Sequence, residues 1–226
     1  MFTTGTGSHD RALAAFARAR SLVSTLPPGG PGLFNPWRDG CRFDSPHNGP
    51  SQRLDRLAAH LDCDPRLILV GEAPGYQGCR YSGLAFTSER LLLDGAVPRI
   101  PRLAARLTLR ERPFSEPSAT IVWKTMYRLG IAETTVLWNA LQMHPFAGDD
   151  PLTNRTPTLA EFKSGRAALR ELPRMFAGAV FIAVGKYAER ALAEAGIASF
   201  CTVRHPANGG ATAFAEGLGL AVRQIG

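Results

Sequence analysis

Residues 67–89 read LILVGEAPGYQGCRYSGLAFTSE, and they contain the clearest strand-to-loop signal in the chain. Four apolar residues at positions 67–70 run directly into the turn Gly71-Glu72-Ala73-Pro74-Gly75. An apolar run that stops at a Gly/Pro turn is typical of a buried parallel strand. In open α/β sheets, ligands bind in the crevice beyond the carboxyl ends of such strands. The stretch therefore predicts a strand followed by one wall of a binding site; the plainer interpretation is a tight turn with a solvated Glu72.

Strands and helices alternate along the rest of the chain. Strands are predicted at residues 67–70, 134–138, 179–184 and 200–203, with a further edge strand at 220–225. Helices are predicted at residues 10–25, 51–61, 118–129, 158–175, 186–194 and 208–217. This order predicts an α/β fold with three αβα layers around a central, mainly parallel four-stranded sheet. The length of 226 residues fits a single domain over residues 1–226, in which residues 1–33 form a helix and a Pro/Gly hinge that wrap the core.

The composition favours a nucleic-acid partner. The net charge is +7, from 26 Lys and Arg against 19 Asp and Glu, and most of the cations are arginines, whose planar guanidinium matches phosphate oxygens. No apolar run approaches the roughly 20 residues of a membrane span, and the N-terminus lacks the basic and apolar regions of a signal peptide. The four scattered cysteines fit free thiols. We therefore expect a cytoplasmic protein that does not contact membranes.

Three polar residues follow three of the predicted strands. These residues are Glu72, Asn139 and His205. Since the carboxyl ends of parallel strands lie along one edge of an open sheet, the three side chains are expected to lie close together. The aromatic residue Phe86 follows the first strand at a short distance in sequence. Together they predict a pocket that stacks a flat ligand and recognises its edge.

These motifs, in this order, resemble the uracil-DNA glycosylase superfamily. The resemblance rests on GEAPG at 71–75, GLAFTSE at 83–89, the strand ending in Asn139 and the late strand ending in His205-Pro206. The GEAPG form is similar to the thermophile-type, iron–sulfur-bearing branch, and the step from Gly83 to Phe86 is also similar to the single-strand-selective branch. The resemblance implies a monomeric, monofunctional glycosylase that flips uracil out of single- or double-stranded DNA and hydrolyses its N-glycosidic bond. It implies base excision repair, with an abasic site as product and no cofactor or metal.

The resemblance also implies roles for individual residues in that reaction. Phe86 is expected to stack on the flipped base, and Asn139 to accept from uracil N3–H and donate to O4. His205 is expected to stabilise the negative charge on O2, together with backbone amides of Gly71 and Ala73. A carboxylate can orient the attacking water and offset the positive charge on the sugar, and Glu72 is the candidate.

The chain departs from the family pattern at several positions. Ala73 stands where another branch carries its water-orienting Asp, so the role of Glu72 is open. The purine-blocking Tyr of that branch falls at Gly75, and Tyr76, next to it, is the candidate to border the base. The hydroxyl after His-Pro is missing at Ala207, and no bulky wedge follows. Backbone N–H groups of Asn208 and Gly209 are expected to contact a phosphate, and Arg204 to contact a phosphate or act as the wedge.

A second basic segment is predicted to bind DNA. Its arginines lie three and four residues apart, so they would share one side of a helix: Arg99, Arg102, Arg106 and Arg110. The alternatives are a surface that follows phosphates and a solvated basic face.

Other chemistries are less well supported by the sequence. The cysteines lack the close spacing of an iron–sulfur site, and Cys41, His47, His60 and Cys63 match no standard zinc motif. His144-Pro145 also follows a strand and competes with His205 for the role of catalytic histidine. Glycosylase action on another deaminated base, such as hypoxanthine, remains open, and so does non-catalytic binding of damaged or abasic DNA. The motifs of α/β hydrolases and of P-loop or dinucleotide-binding proteins do not occur.

Overall fold

The structure is a computed structural model that describes residues 6–226. Residues 1–5, part of the segment expected to wrap the core, lie outside the described residues. In chain order the strands are β1 (Leu33–Phe34), β2 (Leu67–Gly71), β3 (Thr135–Asn139), β4 (His144–Pro145), β5 (Val180–Val184) and β6 (Cys201–Val203). The helices are α1 (Thr6–Ser24), α2 (Pro50–His60), α3 (Cys79–Ser82), α4 (Glu89–Leu93), α5 (Pro117–Arg128), α6 (Leu159–Met175), α7 (Lys186–Ala195) and α8 (Ala211–Ile225). A 3-10 turn, Ala132–Thr134, precedes β3.

Four of the strands form one parallel sheet in the order β3-β2-β5-β6. Every residue of β2 and of β3 is buried, which agrees with strands covered by helices on both faces. The predicted α/β fold and its central four-stranded sheet are therefore confirmed. The two remaining strands, β1 and β4, pair antiparallel beside it.

The strand register places the predicted site residues at one edge of the sheet. Gly71, the last residue of β2, is paired with Asn139, the last residue of β3. On the other side, β5 ends at Val184 opposite Val203 of β6, and His205 follows two residues later. Because all four strands run in the same direction, their carboxyl ends form a common edge, which we call the carboxyl edge.

The predicted edge strand at residues 220–225 is wrong, because these residues continue α8. Phe214, Leu218 and Ala221 are buried at helical spacing, and Val222 and Ile225 pack against the same core. The apolar positions therefore follow a period near 3.6 rather than alternating, and that period belongs to a helix.

Residues 95–116 have an irregular backbone, so Arg99, Arg102, Arg106 and Arg110 do not share one side of a helix. Pro98 and Pro101 lie within the first part of this segment. Proline lacks a backbone N–H and restricts the residue before it to extended conformations, so a helix cannot run through this spacing. Within residues 6–226, no helix combines the length and apolar character needed to cross a bilayer.

Candidate active site at the carboxyl edge of the sheet

Gly71, Phe86 and Asn139 meet at the ends of β2 and β3. A Cβ atom added to Gly71 would lie 2.5 Å from Cζ of Phe86 and 2.9 Å from Oδ1 of Asn139. Glycine is therefore required at this position for the ring and the amide to approach the strand end together. The structure thus brings together the predicted stacking ring and the predicted edge-reading amide.

The Phe86 backbone adopts an unusual conformation. Its φ is +48°, in the left-handed region that bulky residues rarely occupy. The Trp123 indole N–H donates to the Phe86 carbonyl at 3.0 Å and lies 3.2 Å from the Thr87 hydroxyl oxygen. Trp123 lies on α5 and is itself buried, so a rigid element holds the strained turn in place. Strain of this kind is found most often where a side chain is positioned for function.

The Asn139 side chain lies at the end of β3 and is nearly buried. It is 5% exposed, and among the described residues it makes no hydrogen bond to protein. The backbone carbonyl of Asn139 accepts from the Gln142 side chain at 2.7 Å, which fixes the turn after β3. A buried amide without partners requires a ligand or ordered water to satisfy it.

His205 faces Phe86 across the carboxyl edge, with ring centroids 5.9 Å apart and planes tilted by 38°. The Ala207 N–H donates to His205 Nδ1 at 3.2 Å. The neutral ring therefore carries its proton on Nε2. Burial, and secondly the charge of Arg204, lower the pKa of His205 below its ordinary value. His205 is thus a neutral imidazole with an N–H available at neutral pH.

Glu72 lines a cavity of about 610 Å³ at the same edge, which we call the main cavity. Burial raises the pKa of the Glu72 carboxyl, and among the described residues no side chain bonds to it. His205, Asn208 and Gly209 line the same cavity. The structure therefore brings together Glu72, His205 and the loop predicted to contact phosphate.

A second carboxylate in the main cavity was not predicted from the sequence. Glu116, the residue before α5, lines the cavity, and its carboxylate presses so closely on Gly78 that a Cβ there would overlap it. Burial raises the pKa of Glu116 to about 7. Gln77 was also missed, although it lies only two residues beyond the GEAPG motif.

A second cavity of about 610 Å³ lies next to the first, and we call it the side cavity. The two cavities share Glu72, His205, Ala207 and Asn208. Lys186, Tyr187 and Arg204 line the side cavity, and all three are exposed. Lys186 and Tyr187 come two and three residues after β5 ends at Val184. Ligands bind beyond the carboxyl ends of parallel strands, so the reasoning that selected Asn139 applies to these two residues as well.

Four predicted or competing residues are not among those that line the main cavity: Phe86, Asn139, Tyr76 and His144. The Tyr76 ring packs edge-on against Phe114 with centroids 5.8 Å apart, and it does not line the cavity. His144 is fully buried, with Arg80 Nη1 donating to its Nδ1 at 2.8 Å and its Nε2 bonded to the Thr153 carbonyl at 2.9 Å. Burial, and secondly the Arg80 charge, lower the pKa of His144 to about 4.

His144 instead supports the loop that carries Glu72. Its Nε2 lies 3.1 Å from Asn154 Oδ1, which also accepts from the Tyr76 backbone N–H at 3.0 Å. The Asn154 side chain lies beside Gly75, at the end of the GEAPG motif. Both nitrogens of the His144 ring are therefore engaged in structure, and His205 is the histidine available to a ligand.

Comparison with known proteins identifies the family. The sequence model of the Uracil DNA glycosylase superfamily matches residues 58–215, well over half of the chain. The chain belongs to this superfamily. The crystal structure of wild-type SMUG2 from Pedobacter heparinus has the same fold, with a TM-score of 0.66 over 95% of this chain and 97% of that one, at 16% identity. No curated protein sequence matches the chain significantly. Membership of the uracil DNA glycosylase superfamily makes this protein a DNA glycosylase with DNA as its substrate.

In this superfamily member, the four arginines of the predicted basic segment have intramolecular partners. Arg99 donates to the carbonyls of His60 and Thr135 at 3.2 and 3.3 Å, at the amino end of β3 and thus at the edge opposite the cavities. Arg102 donates to the Leu93 carbonyl at 2.8 Å, and Arg106 pairs with the buried Glu89 at 2.7 Å. The Arg110 guanidinium lies over the Phe114 ring, 4.0 Å from its centroid.

The residues considered for zinc do not converge. Within residues 9–226, no group of three or more His, Cys, Asp or Glu side chains is arranged to hold a metal ion. The His60 Nε2 accepts from the Leu137 backbone N–H at 2.9 Å, while the Cys63 thiol contacts the His60 carbonyl. All four cysteines are free thiols.

Proposed function

We propose that this glycosylase is monofunctional and removes uracil from DNA, leaving an abasic site. The observation that carries the proposal is the meeting of Phe86 and the unpartnered Asn139 amide over Gly71, at the edge that also holds His205 and Glu72. We further propose that residues 1–226 act as one monomeric unit without a cofactor.

Recognition of uracil rests on one ring and one amide. The rings of Phe86 and His205 are 5.9 Å apart, whereas a base stacked on both would need about 7 Å, two contacts of about 3.5 Å each. The base therefore stacks on Phe86 and meets His205 with its edge. The Asn139 amide accepts from N3–H and donates to O4, and cytosine presents the opposite pattern at both positions.

Departure of the base depends on His205. As the bond between C1′ and uracil N1 breaks, the electron pair moves to the base and charge accumulates on O2. A neutral His205 donates a hydrogen bond to O2 from Nε2–H, because its Nδ1 is already occupied by the Ala207 N–H. Such a donor strengthens as the charge develops, so it lowers the barrier more than it increases binding.

The water step rests on Glu72. The ionised carboxylate offsets the positive charge on the sugar and accepts a hydrogen bond from the water, whose oxygen adds to C1′. The proton released by the water ends on the departed uracil. Glu72 stands one residue before Ala73, where another branch carries its carboxylate, and it lines both cavities.

Incubation with single- and double-stranded oligonucleotides that carry uracil, followed by hot alkali, tests this proposal. We expect strand cleavage at uracil, no cleavage without alkali, and a loss of about 10²–10³ in kcat for His205→Ala. Asn139→Ala should abolish the preference for uracil over cytosine. His47→Ala, at an exposed histidine, is the matched control and should retain wild-type rates. Strands that remain intact despite binding would identify a non-catalytic binder of damaged DNA.

A second candidate substrate is hypoxanthine. The Tyr76 ring is turned toward Phe114, and Gly75 leaves no side chain where another branch blocks purines. The main cavity has room for a two-ring base. Oligonucleotides carrying hypoxanthine or xanthine, assayed in parallel, decide between the two substrates by the ratio of kcat/KM.

A further inference from the structure

Lys186, Tyr187 and Arg204 of the side cavity have no role in the hydrolysis described above, although this cavity is as large as the main cavity. The two cavities meet at Glu72 and His205, so a ligand in the side cavity lies next to the two residues proposed to act on the sugar and on uracil O2. The outer wall of the side cavity is formed by the first turn of α7 and by Arg204. Its occupant must therefore suit one aromatic ring and two cations.

Tyr187 is presented as a stacking surface. Its ring is stacked on Phe162 with centroids 5.9 Å apart and planes at 14°. One face is thus supported by the protein, while the residue remains 49% exposed. Phe162 lies on α6 and Tyr187 on α7, so two packed helices hold the ring in place. A supported ring with an open face loses little conformational freedom when a base stacks on it.

The charges of the side cavity favour a phosphate. Lys186 and Arg204 are both exposed, and among the described residues neither is paired with a carboxylate. Glu72 is the acidic residue of the cavity wall, and it lies on the side shared with the main cavity. A nucleotide can make both kinds of contact, because its base can stack on Tyr187 while its phosphate pairs with Lys186 and Arg204.

We propose that the side cavity is a subsite for the nucleotide next to the extruded one, with its base stacked on Tyr187. The inference rests on the proposed DNA glycosylase function. The loop after His205 carries Asn208-Gly209-Gly210, which has no side chain large enough to stack on a base. Tyr187 would supply that stacking surface instead. The neighbouring base leaves the strand stack and gains a protein ring in exchange.

The test uses a single strand with a tetrahydrofuran abasic site, which cannot be hydrolysed, and with 2-aminopurine on its 5′ or its 3′ side. Binding to the wild-type protein should quench the fluorescence of one of the two probes. Tyr187→Ala should abolish that quenching and weaken binding about 10-fold, whereas Tyr187→Phe should preserve both. When the neighbouring position is itself abasic, Tyr187→Ala should have no further effect.

Tyr127→Ala is the matched control, because Tyr127 is also 49% exposed but lies on α5 outside both cavities. It should bind and quench like the wild type. The inference is overturned if neither probe is quenched by the wild-type protein, or if Tyr187→Ala quenches and binds as the wild type does. No bond is broken in this binding assay, so it does not depend on catalysis. If the protein quenches a probe but cleaves no damaged base in the glycosylase assay, the proposed function is refuted and the subsite is not.

Discussion

Glu116 is a carboxylate that lines the main cavity, and within residues 9–226 it forms no ion pair. Burial raises its pKa to about 7 from an ordinary value of 4.5. The ionised form is therefore disfavoured in the folded protein relative to the unfolded chain. The resulting loss in free energy of unfolding is absent below pH 4.5, grows between pH 4.5 and 7, and is fully present above pH 7.

Glu116→Gln should therefore stabilise the protein in a pH-dependent way. At pH 8 we expect the variant to gain up to about 3 kcal/mol in free energy of unfolding, and at pH 4 no gain. Urea denaturation at the two pH values measures the difference. Glu111→Gln, at an exposed acid, should change neither value. An equal gain for Glu116→Gln at both pH values would show that packing, not ionisation, is responsible.

At the scale of secondary-structure elements, α2 organises the surroundings of the motif loop. Arg53 on this helix is fully buried and donates to the Pro36 carbonyl at 2.7 Å and to the Asp44 carboxylate at 2.9 Å. Gly83, at the end of α3, touches the same residue, since a Cβ there would lie 2.7 Å from Cβ of Arg53. The helix thus joins the irregular segment before it to the segment that leads to Phe86.

Asp44→Asn should destabilise the fold by about 3–5 kcal/mol, because it leaves the Arg53 charge buried without its counter-ion. Asp62→Asn is the control: Asp62 pairs with the exposed Arg11, and such surface pairs contribute about 0–1 kcal/mol. Midpoints of urea unfolding with unchanged m-values measure both effects. A loss below 1 kcal/mol for Asp44→Asn would mean that Arg53 is stabilised by its carbonyl contacts alone.

At the scale of the whole molecule, two exposed cations line the side cavity. Lys186 and Arg204 are exposed at the carboxyl edge, whereas Arg99 is held against β3 at the opposite edge. A net charge of +7 attracts DNA in general, but unpaired cations near the pocket determine where phosphates are held.

The double variant Lys186→Gln, Arg204→Gln should weaken binding of single-stranded DNA and reduce its salt dependence. We expect the slope of log K against log salt to fall in magnitude by about 1.4, or about 0.7 for each lost phosphate contact. Arg174→Gln is the control, because Arg174 pairs with Glu171 near the end of α6. Titration at several salt concentrations gives the slope, and an unchanged slope would place the phosphates elsewhere.

The edge at which the site lies could be predicted because it depends on local signals. An apolar run with a Gly/Pro stop marks each buried strand, and the direction of parallel strands then places Glu72, Asn139 and His205 along one edge. The family resemblance was predicted from the same motifs and is confirmed by the match over residues 58–215. The individual roles of these residues in catalysis and DNA binding remain predictions.

Contacts between distant parts of the chain could not be read from spacing. Tyr76 is next to the GEAPG motif in sequence, yet its ring packs against Phe114 and does not line the main cavity. Glu116 and Tyr187 line the cavities although they are distant from the motif in sequence. Arg99, Arg102, Arg106 and Arg110 had helical spacing, but Pro98 and Pro101 prevent a helix there. Their guanidiniums contact backbone carbonyls, the Glu89 carboxylate and the Phe114 ring instead. Local patterns specify which residues form a strand or end one, because those preferences act within a few residues. Which side chain faces a cavity depends on packing against remote residues, and only the folded chain sets those contacts.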